Sequence, residues 1–241
     1  NYTFLENSCY PRLKRQSLSN AIKSARTEIP VISEIKPASP SEGVLLKNYD
    51  PVKIAQAMMR GGAIGISVLT EKHYFRGDTE NLRKIREYVE LPLLMKDFII
   101  DERQIQKAAE IGADAVLLIS SICPIDDFVD LVLSYGMEAL VEVHNKYEIE
   151  KVMKTGTKLI GINNRDLSTM EVDLKNTKIL APLIREYDEN VTIISESGIR
   201  SYKDARYVIS HGADGVLVGT AVMKSADISA KVREITGGLR T

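Results

Sequence analysis

The sequence predicts an α/β protein closed into a (β/α)8 TIM barrel with a short N-terminal helical extension, and three features carry that expectation. Apolar strand patterns and amphipathic helix patterns alternate strictly, eight of each, along 241 residues, close to the ~250 that this fold typically needs. A quasi-repeat of a glycine followed by a buried strand begins at Gly62, Gly112, Gly156 and Gly212. No Gly-x-Gly-x-x-Gly turn follows any strand, which argues against an open doubly wound sheet.

The elements follow in order. Residues 1–30 form the extension, with a short helix expected across Ser17–Ala25, and a single barrel domain spans 31–241. Val31–Lys36 reads as the first strand, closed by Pro37. A turn-rich Ser-Pro-Ser-Glu-Gly loop leads to Asp50-Pro51, an N-cap and an N1 proline that start a helix over Asp50–Arg60. The even strands lie inside the repeats: Gly-Ala-Ile-Gly-Ile-Ser-Val-Leu, Gly-Ala-Asp-Ala-Val-Leu-Leu-Ile, Gly-Thr-Lys-Leu-Ile-Gly-Ile-Asn and Gly-Ala-Asp-Gly-Val-Leu-Val-Gly. In each, the glycine is read as the C-cap of the preceding helix. Their spacings of 50, 44 and 56 residues fit two βα units each. The remaining odd strands are Leu93–Lys96, Glu138–Glu142 and Val191–Ser195. Helical patterns cover Thr79–Tyr88, Glu102–Ile111, Ile125–Ser134, Lys146–Lys154, Lys175–Arg185, Tyr202–Ser210 and Thr220–Ile235. Asp101 and Gln104 are spaced to make a capping box at the start of the Glu102 helix.

The odd strands end in charge: Glu34 with Lys36, then Lys96, Glu142 and Glu196. A strand's period of two puts Glu34 and Lys36 on one face. In a barrel that face is the interior near the C-terminal rim, where active sites of this fold lie. Structural ion pairs at the rim are the competing reading. Burying five charges is costly unless they serve binding or proton transfer, and paired lysines and carboxylates suit general acid–base work. Asn163 and Arg165 follow the sixth strand; Arg165 either grips a substrate carboxylate or pairs with Asp166. Ser197-Gly198 and Gly219-Thr220 follow strands seven and eight, where free backbone N–H groups at a helix start suit a phosphate. Phe75, Phe98 and Leu117 would add apolar walls.

Composition narrows the partners. A net charge of −1 and a pI near 6.4 give no basic field for nucleic acid or an anionic membrane. Cys9 and Cys123 form no disulfide framework, and His73, His144 and His211 have no metal-ligand spacing. No metal and no cofactor are expected. No apolar run reaches membrane-spanning length and no signal-like segment opens the chain, so a cytoplasmic monomer acting on a small anionic molecule is the expectation.

The motifs SEIKPASPSEG, SVLTEKHYF, LLMKDFI, GADAVLLI, LVEVHN, GINNRDL, SESGI and VGTAVM together resemble those of the indole-3-glycerol phosphate synthase family of tryptophan biosynthesis. That resemblance implies a lyase that closes the indole ring of 1-(2-carboxyphenylamino)-1-deoxyribulose 5-phosphate, losing carbon dioxide and water. Lys96 would be the general acid and Glu142 the general base, with Glu34 and Lys36 assisting dehydration and Asn163 and Glu196 completing the catalytic set. Ser39 and Arg165 would hold the anthranilate carboxylate. Lys36, Gly198, Gly219 and Thr220 would take the phosphate, with Ser197 beside them. Two departures stand out. Pro37-Ala38 replaces a further basic residue often present after the Glu-Ile-Lys lysine. The segment before strand one is short and does not begin with methionine, so part of an N-terminal arm is expected to be missing. A phosphoribosylanthranilate isomerase-like sugar-phosphate isomerase, a Schiff-base aldolase using Lys96, and a non-catalytic phosphate-metabolite binding barrel are the alternatives.

Overall fold

The computed structural model describes residues 15–238; Cys9 and the first part of the N-terminal extension lie outside them. Eight parallel strands close into a barrel: β1 (Val31–Ile35), β4 (Gly65–Leu69), β5 (Leu93–Lys96), β6 (Ala115–Ile119), β7 (Glu138–Val143), β8 (Leu159–Asn163), β9 (Thr192–Glu196) and β10 (Gly215–Val218), with β10 returning to β1. A small antiparallel pair, β2 (Ala38–Ser39) and β3 (Gly43–Val44), sits in the loop after β1. The helices are α1 (Leu18–Lys23), α2 (Pro51–Arg60), α3 (Thr79–Arg86), α4 (Glu102–Glu110), α5 (Ile125–Ser134), α6 (Lys146–Val152), α7 (Lys175–Tyr187), α8 (Tyr202–Ser210), α9 (Thr220–Met223) and α10 (Ile228–Thr236).

Helix starts follow local chemistry. Asp50 accepts from Val52 N and Lys53 N with Pro51 in the first turn, and Asp101 and Gln104 form the reciprocal capping box. Gly62, Gly112 and Gly212 hold φ of 98°, 88° and 106° one residue beyond the caps of α2, α4 and α8. They are therefore the left-handed residues that release the chain into the next strand, rather than the caps themselves.

The aspartates of the Gly-Ala-Asp repeats do matching work. Asp114 Oδ2 accepts from Leu93 N at 2.9 Å and pairs with Arg86 at 2.7 Å. Asp214 Oδ2 accepts from Ile193 N at 2.7 Å and pairs with Arg185 at 2.6 Å. Each ties the foot of one strand to the helix before it.

Burial falls in two layers. Val, Ile, Leu and Ala from the strands' outer faces pack against the helices, while Ile32, Leu94, Leu117, Leu140, Leu159, Ile194 and Leu217 fill the barrel interior. Leu18 and Ile22 of α1 join that interior cluster and plug its lower end. The plug is held by Glu138, whose carboxylate accepts from Leu18 N, Ser19 N and the Ser19 hydroxyl.

Several expectations need correcting. The helix read across Thr220–Ile235 is two helices, α9 and α10. Ser225 Oγ turns back to Val222 O at 2.7 Å, and Asp227 caps a new helix by accepting from Ala230 N at 2.9 Å. The loop after the first strand is not plain turn, because Gly43 at φ 68° lets it fold back as β2–β3. β1 stops at Ile35 rather than Lys36, and β9 runs one residue past Ser195 to include Glu196. α1 is shorter than Ser17–Ala25 at both ends, α3 ends at Arg86, α6 ends at Val152, and α7 continues to Tyr187.

Candidate active site

Period-two geometry builds the site directly on the apolar interior. Ile32, Leu94, Leu140 and Ile194 form a floor on alternate barrel strands. Two residues further along the same strands stand Glu34, Lys96, Glu142 and Glu196. A barrel interior stacks in layers of four side chains from alternate strands, so one complete layer here is ionisable.

Lys96 is the hub. Its Nζ lies 2.5 Å from Glu196 Oε2 and 3.9 Å from both Glu34 Oε1 and Glu142 Oε2. Lys36, just past β1, pairs with Glu34 Oε2 at 2.8 Å. The charges are thus ion-paired with one another, and Glu34, Lys36, Lys96 and Glu142 also form the base of a cavity of about 670 Å3 that opens at the C-terminal rim. Burial works to lower the Lys96 pKa, but Glu196, Glu34 and Glu142 outweigh it and raise it above the usual lysine value. Burial pushes Glu196 up to about 7 against the pull of Lys96. Glu142 is also buried, yet His144, Lys96 and Asn163 hold it below the ordinary glutamate value.

The cavity brings together nearly every residue expected there. Glu34, Lys36, Ser39, Phe75, Lys96, Phe98, Leu117, Glu142, Asn163, Arg165, Ser197, Gly198, Gly219 and Thr220 all line it. Glu196 is the exception. It lies beneath the cavity surface, 1% exposed, and reaches the site through Lys96. Within the ionisable layer it holds Lys96 by the shortest of that lysine's ion pairs.

The glycines also have a second role. A Cβ at Gly219 would collide with the carboxylate of Glu34, and one at Gly161 with that of Glu196. These two positions lack side chains because the neighbouring carboxylates fill the space. Ser197 and Gly198 are both left-handed, at φ 67° and 84°, which turns the chain sharply after β9. Gly219 is the N-cap of the short α9.

Asn163 Nδ2 donates to Glu142 Oε1 at 3.1 Å, and Asn163 Oδ1 accepts from Arg165 N at 2.9 Å. Arg165 does not pair with Asp166. Its Nη1 donates to Met170 O at 2.9 Å, while Asp166 accepts from Ser168 N at 2.7 Å and Thr169 N at 3.2 Å. Phe75 and Phe98 meet with ring centroids 6.1 Å apart. The loop carrying Phe75 is fixed by Glu71, which accepts from His73 N, Tyr74 N and Phe75 N at 2.7–3.0 Å.

Sequence reasoning passed over four residues. Arg200, Lys224 and Lys231 line the cavity and bring positive charge to the rim; Lys224 also pairs with Glu42 of the loop after β1. His144 stands 3.2 Å from Glu142 Oε1 and 3.2 Å from Glu148 Oε2. The two-residue spacing that united Glu34 with Lys36 applies equally to Glu142 and His144. That was the available signal.

Comparison with known proteins agrees with this geometry. The sequence profile of the indole-3-glycerol phosphate synthase family matches residues 4–235. The chain is 43% identical over 231 residues to the indole-3-glycerol phosphate synthase of Geobacillus kaustophilus, covering 94% of this chain and 88% of that protein. It is 44% identical over 210 residues to that of Acetivibrio thermocellus, covering 86% and 80%. Among solved structures, a 3-hexulose-6-phosphate synthase superposes with a TM-score of 0.69 at 15% identity, covering 88% of this chain and 100% of that one. A thiamine phosphate pyrophosphorylase from Pyrococcus furiosus superposes with a TM-score of 0.63 at 19% identity, covering 88% and 96%. At those identities the two structures speak for the barrel alone.

Proposed function

The chain belongs to the indole-3-glycerol phosphate synthase family, carboxy-lyases of tryptophan biosynthesis, and we propose how its rim residues divide the family's reaction. The observation that carries the proposal is Lys96, an ammonium held by three carboxylates at the base of a deep cavity.

The substrate 1-(2-carboxyphenylamino)-1-deoxyribulose 5-phosphate carries two anionic ends. Ser39 and Arg165 take its anthranilate carboxylate, and the Phe75, Phe98 and Leu117 walls take the aromatic ring. Lys36 with the backbone of Ser197, Gly198, Gly219 and Thr220 takes the phosphate. Arg200 and Lys224 add positive potential at the rim.

In the first step the ring carbon bearing the carboxylate attacks the ketone carbon. Lys96 gives its proton to the carbonyl oxygen, which becomes a hydroxyl. The carboxylate leaves as carbon dioxide and its electron pair restores the aromatic ring. In the second step the hydroxyl takes a proton from Lys36, steadied by Glu34, and leaves as water. Glu142 removes a proton from the methylene carbon beside the nitrogen, and the indole double bond forms. Asn163 orients Glu142, and Glu196 holds Lys96. Ammonium and carboxylate groups supply every proton transfer, so the scheme uses no metal or cofactor.

The alternatives fit less well. A Schiff base needs a neutral lysine, whereas the carboxylates around Lys96 favour its charged form. An isomerase built on a cysteine–aspartate pair finds no thiol in the cavity among the described residues, because Cys123 is buried, donates to Ile119 O and does not line it. A binding barrel would need no proton donors. On the same reading the enzyme is a cytoplasmic monomer with no nucleic-acid partner, in keeping with its net charge of −1; no helix among the described residues is long and apolar enough to cross a membrane. The test is direct: indole fluorescence grows in when enzyme and the carboxyphenylamino sugar phosphate are mixed. An unreacted substrate with no signal would refute the assignment.

A further inference from the structure

His144 lies just past the end of β7, between the catalytic cavity and a second cleft of about 650 Å3 that it lines together with Glu148. Its two ring nitrogens face two different carboxylates. Nε2 is 3.2 Å from Glu142 Oε1, and Nδ1 is 3.2 Å from Glu148 Oε2. A neutral imidazole has one N–H and could serve only one of them; the imidazolium serves both. The Nε2 contact is an ion pair rather than an aligned hydrogen bond, so what it supplies is mainly charge.

Glu148 is itself immobilised. Its carboxylate accepts from His144 N at 2.7 Å, Ser120 Oγ at 2.9 Å and Asn145 Nδ2 at 2.8 Å. These bonds fix the carboxylate to the residue after β6, to the loop after β7 and to the N-cap of α6 at once. On the far side, Glu142 Oε1 is occupied by Asn163 Nδ2 and His144 Nε2, while Oε2 faces Lys96 and the cavity.

We propose that His144, clamped by Glu148, is a positioning residue for the Glu142 base: as an imidazolium it sets a positive charge against Oε1, leaving Oε2 free to take the substrate's proton. This rests on Glu142 being the base. The groups that face the imidazole are Glu142 from β7, Glu148 from α6 and Asp166 from the loop after β8, and all three are acidic. Glu142 is faced in turn by Lys96 and Glu196. Burial works to lower the histidine's pKa, but Glu142 and Glu148 raise it to about 10, so the charge persists across the working range of pH. Removing a positive neighbour raises a carboxylate's pKa. The base then becomes protonated at a higher pH.

The test is the pH dependence of kcat and kcat/KM for His144→Gln, Glu148→Gln and His144→Ala, with Glu142→Gln alongside. His144→Gln is expected to move the acid limb up by about one unit, roughly a tenfold greater loss on the acid side than at the plateau, with KM little changed. Glu148→Gln moves it the same way by less. Imidazole added to His144→Ala, entering by the second cleft, returns the limb towards wild type. An acid limb that superimposes on wild type, or a loss uniform across pH that imidazole does not rescue, overturns the proposal. Wild-type turnover by Glu142→Gln would instead remove the base on which it rests.

Discussion

Lys96 Nζ lies 2.5 Å from Glu196 Oε2, and that pair is carried inside the barrel with Glu196 buried and outside the cavity lining. The charge of Lys96 is therefore tuned by a carboxylate that is not part of the cavity lining. Glu196 contributes to the raised pKa of Lys96. Replacing it by Gln removes one negative neighbour while keeping the shape. The Lys96 pKa then falls, and the basic limb of kcat against pH is expected to move down by about one unit or more. KM changes little, because Glu196 does not line the cavity. A basic limb that stays in place in Glu196→Gln would show that the pair does not set the acid.

Gly219 and Gly161 predict a different kind of damage. A Cβ at either position meets a carboxylate of the charged layer. Moving Glu34 disturbs its 2.8 Å pair with Lys36, so Gly219→Ala is expected to lower kcat as well as raise KM. Gly161→Ala displaces Glu196 and is expected to destabilise the fold by ~1–3 kcal/mol, as overpacking does in a filled interior. Urea denaturation of both variants and steady-state kinetics of Gly219→Ala check this. An effect of Gly219→Ala on KM alone would leave phosphate contact as the glycine's only role.

The matched aspartates at the foot of the barrel separate stability from catalysis. Asp114 has a side chain 2% exposed and that of Asp214 is 37% exposed. Asp114→Ala strands Arg86 and the Leu93 amide and is expected to cost ~3–5 kcal/mol, as removing one partner of a buried pair does. Asp214→Ala should cost distinctly less. Both lie at the opposite end of the strands from the cavity, so kcat per folded molecule is expected to hold. Equal denaturation midpoints for the two variants would contradict the burial argument.

Glu71 governs an apolar wall without contributing to it. Its carboxylate gathers three backbone N–H groups from the loop that bears Phe75. Glu71→Ala frees those amides and with them Phe75, which faces Phe98. The expectation is a raised KM with a smaller change in kcat, measured by steady-state kinetics. A drop in kcat at constant KM would place Glu71 in the chemistry instead.

The barrel was legible because its rule is periodic. Alternating strand and helix patterns, and a residue pair such as Glu34 and Lys36 spaced by two, carry the layer geometry in the sequence itself. Lys96, Glu142 and Asn163 were found the same way, as the polar ends of apolar strands. What escaped depends on distance between chain segments. Glu196 reads like Glu142 in sequence, yet it lies outside the cavity lining and bonds to Lys96, 100 residues away. Gly219 reads as a phosphate turn, and only the packed barrel reveals the Glu34 carboxylate in its missing side chain's place. His144 is different: its partners Glu142 and Glu148 are two and four residues away, so its signal was local and went unread. The division of the last helix rests on Asp227 accepting a local bond, a cap signal that a continuous helical pattern hid.

The most direct measurement is the turnover of Lys96→Met, followed by indole fluorescence under saturating substrate. Methionine keeps the length and most of the volume of lysine while deleting the charge and the proton. Loss of a positioned general acid typically costs ~10²–10⁴-fold, and a fall of that order is expected with the barrel still folded. Lys36→Met is expected to raise KM as well, since that residue is also assigned to the phosphate. Near-wild-type turnover by Lys96→Met would contradict general acid catalysis from the end of β5.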